Sequence, residues 1–123
     1  MANPNIVNVT SIIGNSLTVA VGTSATQLAS NAASSGKVFK INSILIANID
    51  GTSAADVTVN IYSAAALGGT GLAIASTISV PADASLIVTD KTTSFYLLEN
   101  QSIGALANAS GDLVATISFE EIT

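Results

Sequence analysis

The chain has 123 residues, of which 49% are hydrophobic, 4% are aromatic and only 9% are charged, with a formal net charge of −5. It contains no cysteine and no histidine, which removes disulfides, thiolate chemistry and the usual ligands of zinc, copper and iron. Three lysines and an acidic balance argue against nucleic acid, whose affinity depends on cations. A chain of this length can bury one core, so we predict a single domain over residues 1–123.

The first segment, Met1–Gly36, carries no charge and is rich in Asn, Ser, Thr and Ala. Pro4 and Asn8 interrupt its apolar residues, so we expect neither a signal peptide nor a membrane span. The segment is either an N-terminal arm that docks on a neighbouring subunit or the first hairpin of the domain. Strands are predicted at Ile6–Ile13 and Ser16–Val21. The following "ATQLASNAASS" offers at most a turn of helix.

The next apolar run, "KVFKINSILIAN", changes its alternation half-way along. Phe39 and Ile41 belong to one face of the predicted strand. Ile44 and Ile46 belong to the other. A bulge near Asn42 explains the change, and burial of both faces is the competing explanation.

The rest of the chain alternates apolar and polar residues between short turn signals, as in "DVTVNIY", which is typical of half-buried strands. In "LAIASTISV" the alternation predicts that Leu72, Ile74, Ile78 and Val80 share one face. The strands predicted after residue 36 are Val38–Ala47, Asp56–Tyr62, Leu72–Val80, Ser85–Thr89, Phe95–Leu98, Ser102–Ala107 and Leu113–Phe119. These elements predict an all-β fold, a single antiparallel β-sandwich, with the Ig-like and jelly-roll strand orders both open.

The acidic residues do not form a catalytic pattern. Four of them lie within turn signals, where carboxylates bond to nearby backbone amides. Glu120 and Glu121 are adjacent in a strand, so they point to opposite faces and cannot act together on one substrate. The four residues in turns are Asp83, Asp90, Glu99 and Asp112.

Three other motifs are weak candidates for chemistry. Asp50 and Asp56 flank a loop with oxygen ligands for calcium, but the EF-hand spacing is absent and a hairpin connection is the better interpretation. Ser34 or Ser35 near Lys37 has the residue types of a serine–lysine pair without anything that fixes its geometry. The "GGTG" stretch lacks a phosphate-binding signature and is interpreted as a flexible loop tip. We therefore expect no enzyme and no catalytic, cofactor or metal residues.

Protein contacts are expected from the N-terminal stretch, from two glycine-containing loop tips and from two tyrosines whose parity opposes that of their apolar neighbours. These residues are Ile6, Val7, Val9, Ile12, Gly51, Gly69, Tyr62 and Tyr96.

The stretches "GKVFKINSILIANIDGTSAADVTVNIY", "IASTISVPADASLIVTDKTTSFYLLENQSI" and "GDLVATISFEEI" resemble small virion structural proteins of tailed bacteriophages, especially marine phages of cyanobacteria. The resemblance covers Gly36–Ile122 and rests on a pattern of turns and strands. Many of those proteins read Leu-Glu-Glu-Gly-Asp-Ser where this chain has "LENQS", so its acidic turn is weaker.

The resemblance implies a non-enzymatic β-sandwich subunit that decorates or cements a capsid by binding the major capsid lattice. Neck, tail or fibre-associated subunits are the alternative within this class, and a receptor- or carbohydrate-binding module is the alternative outside it. The implied partners are other virion proteins and further copies of the chain, with assembly in the host cytoplasm. Many copies would supply by avidity what one contact cannot.

Overall fold

The computed structural model describes residues 4–123. In this part of the chain, nine strands alternate with turns, and the helical structure is one short 3-10 turn. The strands are β1 (Ile12–Val21), β2 (Thr26–Asn31), β3 (Val38–Asn48), β4 (Ala55–Ala64), β5 (Gly68–Val80), β6 (Ser85–Thr89), β7 (Phe95–Leu97), β8 (Gln101–Ala107) and β9 (Leu113–Ile122), with the 3-10 turn at Lys91–Thr93 between β6 and β7. Within residues 4–123 no helix has the length and apolar character to cross a membrane.

The strands form two antiparallel sheets. The first sheet has the order β1-β9-β3-β6, with β7 also paired to β3, and the second has the order β2-β8-β4-β5. Strands β1 to β4 alternate between the sheets, whereas an Ig-like sandwich pairs its first two strands within one sheet. The predicted all-β sandwich is confirmed, and its strand order is that of a jelly roll.

The core fills the space between the sheets and consists mainly of aliphatic side chains. In β9, for example, Leu113, Ala115 and Ile117 are buried while the residues between them are partly exposed. Burying each such Ile, Leu or Val side chain stabilises the fold by about 1.5–3 kcal/mol. The largest fully buried side chains include Leu28, Ile41, Ile44, Ile46, Leu97, Ile103, Leu113 and Ile117.

Two buried asparagines tie the sheets together at opposite ends of β3. Asn48 of β3 donates from Nδ2 to the carbonyl of Val80 in β5, at 2.9 Å. Asn31 of β2 donates from Nδ2 to the carbonyl of Leu97 in β7, at 3.2 Å. Because an unpaired buried carbonyl is costly, each asparagine fixes one end of the sandwich.

The bulge predicted in β3 is confirmed. Ile41 pairs with Phe119 and Ser43 pairs with Ser118, so Asn42 has no residue opposite it on β9. The extra residue reverses the alternation and brings Ile41 and Ile44 to the same core.

Two predictions near the N-terminus were wrong. The strand expected at Ile6–Ile13 begins only at Ile12, and residues 4–11 contain turns. The stretch "ATQLASNAASS", for which at most a turn of helix was predicted, contains strand β2. Leu28 and Ala29 are buried in the core, and this burial outweighs the low strand propensity of Asn and Ser.

The face predicted for β5 is present in part, because Leu72, Ile78 and Val80 lie opposite the core-side residues Ile61, Val57 and Ala55 of β4, but most of it is not buried. Leu72 is 71% exposed, and Ile74 and Ile78 are exposed as well, while Val80 is buried. Register shifts against β4 and a positive φ of 50° at Thr77 mark bulges that interrupt the alternation. The single-domain prediction for residues 1–123 stays a prediction.

Candidate interaction surfaces

Two acidic residues, Asp90 and Asp50, stabilise the turns in which they lie. Asp90 accepts hydrogen bonds from Thr92 N at 2.9 Å and Thr92 Oγ1 at 2.5 Å, and it forms a capping box with Thr93. These hydrogen bonds stabilise the carboxylate and lower the pKa of Asp90. Asp50 accepts from the amide and hydroxyl of Thr52, both at 2.9 Å, and these bonds lower the pKa of Asp50 in the same way.

The candidate calcium loop shows no cluster of ligands. Across residues 4–123, no group of three His, Cys, Asp or Glu side chains is placed to hold a metal ion. Asp56 lies at the start of β4, where its backbone amide donates to Asn108 Oδ1 at 3.0 Å. The loop at residues 49–54 joins β3 of one sheet to β4 of the other, so the hairpin connection predicted here was wrong.

The serine–lysine pair does not form. Lys37 Nζ lies 3.2 Å from Glu121 Oε1, and Ser35 Oγ donates to Asn31 Oδ1 at 2.5 Å. On the other face of β9, Glu120 accepts from Asn42 Nδ2 at 3.1 Å. Each of these side chains has a structural contact, and none of the contacts joins a nucleophile to a base.

The predicted contact residues occupy several separate surfaces. In the N-terminal stretch Ile6, Val7 and Ile12 are exposed and Val9 is partly buried. Gly51 precedes β4 and Gly69 follows it, so they lie about 33 Å apart along a ten-residue strand. Gly69 lies within β5 and is not the loop tip predicted for "GGTG"; the turn is at residues 65–67.

Two shallow grooves involve the predicted tyrosines. Tyr96 and Ile6 line a groove of about 250 Å³ together with Pro4, Val38 and Leu98. Tyr62 lines a second groove, of about 270 Å³, on the other sheet. Because the tyrosines lie on different sheets, they do not form one aromatic platform.

A surface that the sequence analysis missed covers the outside of the first sheet. Across four strands, Thr18 pairs with Thr116, Thr116 with Leu45, and Leu45 with Ile87. The rows beside this one contain only serine, alanine and valine. We call the whole set the neutral face; its residues are Ser16, Thr18, Ala20, Ser43, Leu45, Ala47, Ser85, Ile87, Val114, Thr116 and Ser118.

The neutral face is uncharged and partly apolar. Ile87 is 62% exposed and Leu45 is 36% exposed. Lys40 of β3 and Glu120 of β9 lie opposite each other on the same side of the sheet, at one end of it. From strand spacing and rise, the face covers on the order of 300 Å², which is less than half of one partner's share in a standard protein interface.

In the sequence, the residues of this surface are uncharged positions that alternate along four separate strands. The sequence does not show that these strands are neighbours, because they are distant along the chain and their order is set by the jelly-roll fold.

No protein family matches the sequence, and no curated protein matches it. Among solved structures, the chain is similar to a protein of Bacillus endospore appendages, described as disulfide-linked pili, with 18% identity, a TM-score of 0.54, and coverage of 92% of this chain and 88% of the other.

Two viral capsid proteins are also structural neighbours. A pentameric capsid protein from metagenomic phage sequences is 15% identical with a TM-score of 0.42, and the match covers 88% of this chain and 62% of the other. VP2 of infectious bursal disease virus is 13% identical with a TM-score of 0.46, and the match covers 91% of this chain and 32% of the other. At 18% identity the pilus protein shares the fold, and the capsid proteins superpose more loosely.

Proposed function

We propose that this chain is a non-enzymatic structural subunit of a tailed phage particle, a decoration or cement protein that binds the major capsid lattice. The observation that supports the proposal best is the neutral face. A surface without charge loses little by being covered, because no ion has to be removed from water.

Composition supports the same function. With 9% charged residues, the chain has far fewer ions on its surface than most free-standing domains. Asp50 and Asp90 accept hydrogen bonds within their own turns, and Lys40 and Glu120 lie opposite each other at one end of the first sheet. The remaining polar surface consists of hydroxyl and amide groups, which can form hydrogen bonds with a neighbouring protein.

The size of the neutral face indicates how such a subunit would bind. About 300 Å² on one side is too little for a tight contact between single molecules. On a lattice, however, many weak contacts act together, and avidity exceeds the affinity of any one of them. The resemblance over Gly36–Ile122 to small virion proteins of tailed phages agrees with this mode of binding.

The alternatives receive less support from the site. A carbohydrate- or receptor-binding module needs aromatic groups grouped at one place, and Tyr62 and Tyr96 are on different sheets. A pilus subunit held by disulfides needs cysteine, which this chain does not contain. A neck, tail or fibre-associated subunit would use the same neutral face, so only its location on the particle would distinguish it from a decoration protein.

Cryo-electron microscopy of purified particles of a phage whose genome encodes this protein tests the proposal directly. We expect density for the jelly roll on the capsid lattice, with the neutral face against the major capsid protein. Density along the tail or neck would support the alternative location. Absence of the protein from particles would overturn both.

A matched pair of variants tests the docking face. Leu45→Lys places a cation on the neutral face, whereas Leu72→Lys places it on an exposed position of β5 in the second sheet. Leaving a lysine unpaired in the interface costs about 2 kcal/mol, or roughly 30-fold in binding. We expect L45K to lose occupancy on particles lacking the native protein, and L72K to bind like the unmodified chain. Equal binding of both variants would exclude the neutral face.

A further inference from the structure

The free edge of β1 differs from the other edges of the sandwich. β1 pairs with β9 through all ten residues without a register shift. It contains no proline, no charge and no bulge, which are the devices that normally keep edge strands from pairing.

The other edges carry such devices. β5 has register shifts at three places in its pairing with β4, and β2 has one in its pairing with β8. β6 is only five residues long and is followed directly by Asp90 and Lys91. The open edge of β1 is therefore specific to one strand.

The backbone groups on this edge can be assigned. Ser11 and Thr123 exchange two hydrogen bonds, at 3.2 and 2.9 Å. Because hydrogen-bonded positions alternate in an antiparallel pair, the odd-numbered residues of β1 face β9, and the even-numbered residues direct their N–H and C=O groups to the free edge. These even-numbered residues are Ile12, Gly14, Ser16, Thr18 and Ala20.

From this geometry we infer that β1 pairs with β1 of a second copy of this chain, antiparallel, about a twofold axis at Ser16. This register places Ile12 opposite Ala20 of the second copy and Gly14 opposite Thr18 of the second copy. Every outward N–H and C=O group of β1 then has a partner.

The same register covers apolar side chains on the core side of the strand. Ile13, which is 54% exposed, lies opposite Val19 of the second copy, and Leu17, which is 41% exposed, lies opposite Asn15 of the second copy. The edge of a monomer leaves these side chains in water, and the paired edge shields them with the neighbouring strand.

Charge does not oppose a second copy as the partner. The carboxylate of Glu121 reaches the edge strand, where it accepts a hydrogen bond from Asn15 Nδ2, but Lys37 Nζ lies 3.2 Å from the same carboxylate and compensates its charge within each copy. Glu120 is on β9, one strand in from the edge, and lies opposite Lys40. A twofold contact also closes on itself, so pairing at β1 ends with a dimer.

The role that we assign to the dimer rests on the proposed function. In the dimer, the first sheets of two copies form one continuous sheet. Ser16 and Thr18 belong both to the edge and to the neutral face. Two copies therefore present one neutral face of doubled area to a capsid.

The test is the oligomeric state of the purified chain, measured by size-exclusion chromatography with light scattering from micromolar to millimolar concentration. We expect a dimer. Ser16→Pro removes an N–H that faces away from β9, so the monomer should retain its fold and its circular dichroism, while the dimer is lost. Ser16→Lys places two cations opposite each other at the axis and should raise the dissociation constant by about tenfold.

Ser118→Lys is the matched control, because Ser118 pairs with Ser16 on the same side of the sheet but lies on β9. We expect S118K to change the dissociation constant less than about twofold. A wild-type monomer at all concentrations, a dimer that persists in S16P, larger open assemblies, or equal effects of S16K and S118K would each overturn the inference. None of these results bears on capsid binding, which is measured on particles.

Discussion

The outer sides of the two sheets differ in where other parts of the chain cover them. The outside of the second sheet is partly covered by the chain itself, because the turn between β4 and β5 folds over it. Ala66 N donates to Ser30 Oγ at 2.9 Å, and Leu67 N donates to Ser102 Oγ at 2.8 Å. Ser102 Oγ in turn donates to the carbonyl of Ala64 at 2.7 Å. On the first sheet, Pro4 and Ile6 reach Val38 at one end of the outer side. The neutral face lies beyond that end, and its residues Thr18, Leu45 and Ile87 are exposed.

The edge strands of the two sheets also differ. β5 of the second sheet is bulged, whereas β1 of the first sheet runs straight along β9. Both segments are uncharged in sequence, so charge alone does not distinguish them. The contacts that we propose therefore all lie on the first sheet, and the variants below test how the two sheets differ.

The largest effect is expected where the two sheets are held together. Asn48→Ala removes the donor to Val80 O and Ser53 O, and the acceptor for Asp50 N. Leaving these groups unpaired should lower the free energy of unfolding by about 3 kcal/mol, as measured by urea denaturation. Asn42→Ala, which removes one bond to a side chain of Glu120, is the control and should cost less than about 1 kcal/mol. Similar losses in the two variants would show that Asn48 does not join the sheets.

A smaller effect should separate the outer sides directly. A Cβ atom at Gly104 on β8 would lie 2.8 Å from Leu67 Cδ2 and 3.1 Å from Tyr62 Cε2, whereas one at Gly14 on β1 would meet nothing within 4 Å. We expect Gly104→Ala to destabilise the fold by about 1–3 kcal/mol because it overpacks the covered side.

Gly14→Ala is the control for the open side, and it should change stability by no more than about 0.5–1 kcal/mol, in the stabilising direction. Thermal and urea unfolding of both variants measure the difference. If both substitutions were tolerated equally, the turn between β4 and β5 would not be packed on the second sheet.

The smallest effect concerns the other edge of the first sheet, where Asp90 caps the turn between β6 and β7. Hydrogen bonds from Thr92 lower the pKa of Asp90 from its ordinary value of 3.8, so the folded state binds this proton less readily than the unfolded state. The resulting stabilisation is complete above pH 3.8 and is lost as the pH falls through the folded value.

Melting temperatures from pH 7 down to acid measure this contribution. We expect Asp90→Asn to reduce the loss of stability below pH 4 relative to the wild type, by a small amount because the group is exposed. Asp112→Asn removes the same charge from another turn and controls for net charge. A steeper acid transition in D90N than in the wild type would contradict the assignment.

Much of the fold could be predicted from the sequence because local patterns agree with it. The alternation in Leu113–Phe119 and the turn signal around Asp90 are local, and both appear in the structure as predicted. The change in parity around Asn42 was visible within one strand, but it left a bulge and burial of both faces as alternatives, and the pairing with β9 shows the bulge.

The failures occurred where neighbours decide the outcome. β2 has few strand-forming residues, and it is a strand because Leu28 fits the core beside β8. In β5 the alternation predicted a buried face, but β5 is an edge strand, and Leu72 is exposed although it lies opposite Ile61. The predicted contact residues stay predictions, and the structure distributes them over several separate surfaces.

The sequence by itself determined an all-β sandwich with little charge, since alternation and turn residues act over a few positions. It also indicated that the carboxylates serve turns, as they do at Asp50 and Asp90. Only the tertiary structure decided the jelly-roll order, the neutral face and the open edge of β1. These features depend on which distant strands become neighbours, and that is set by the packing of two sheets around one core.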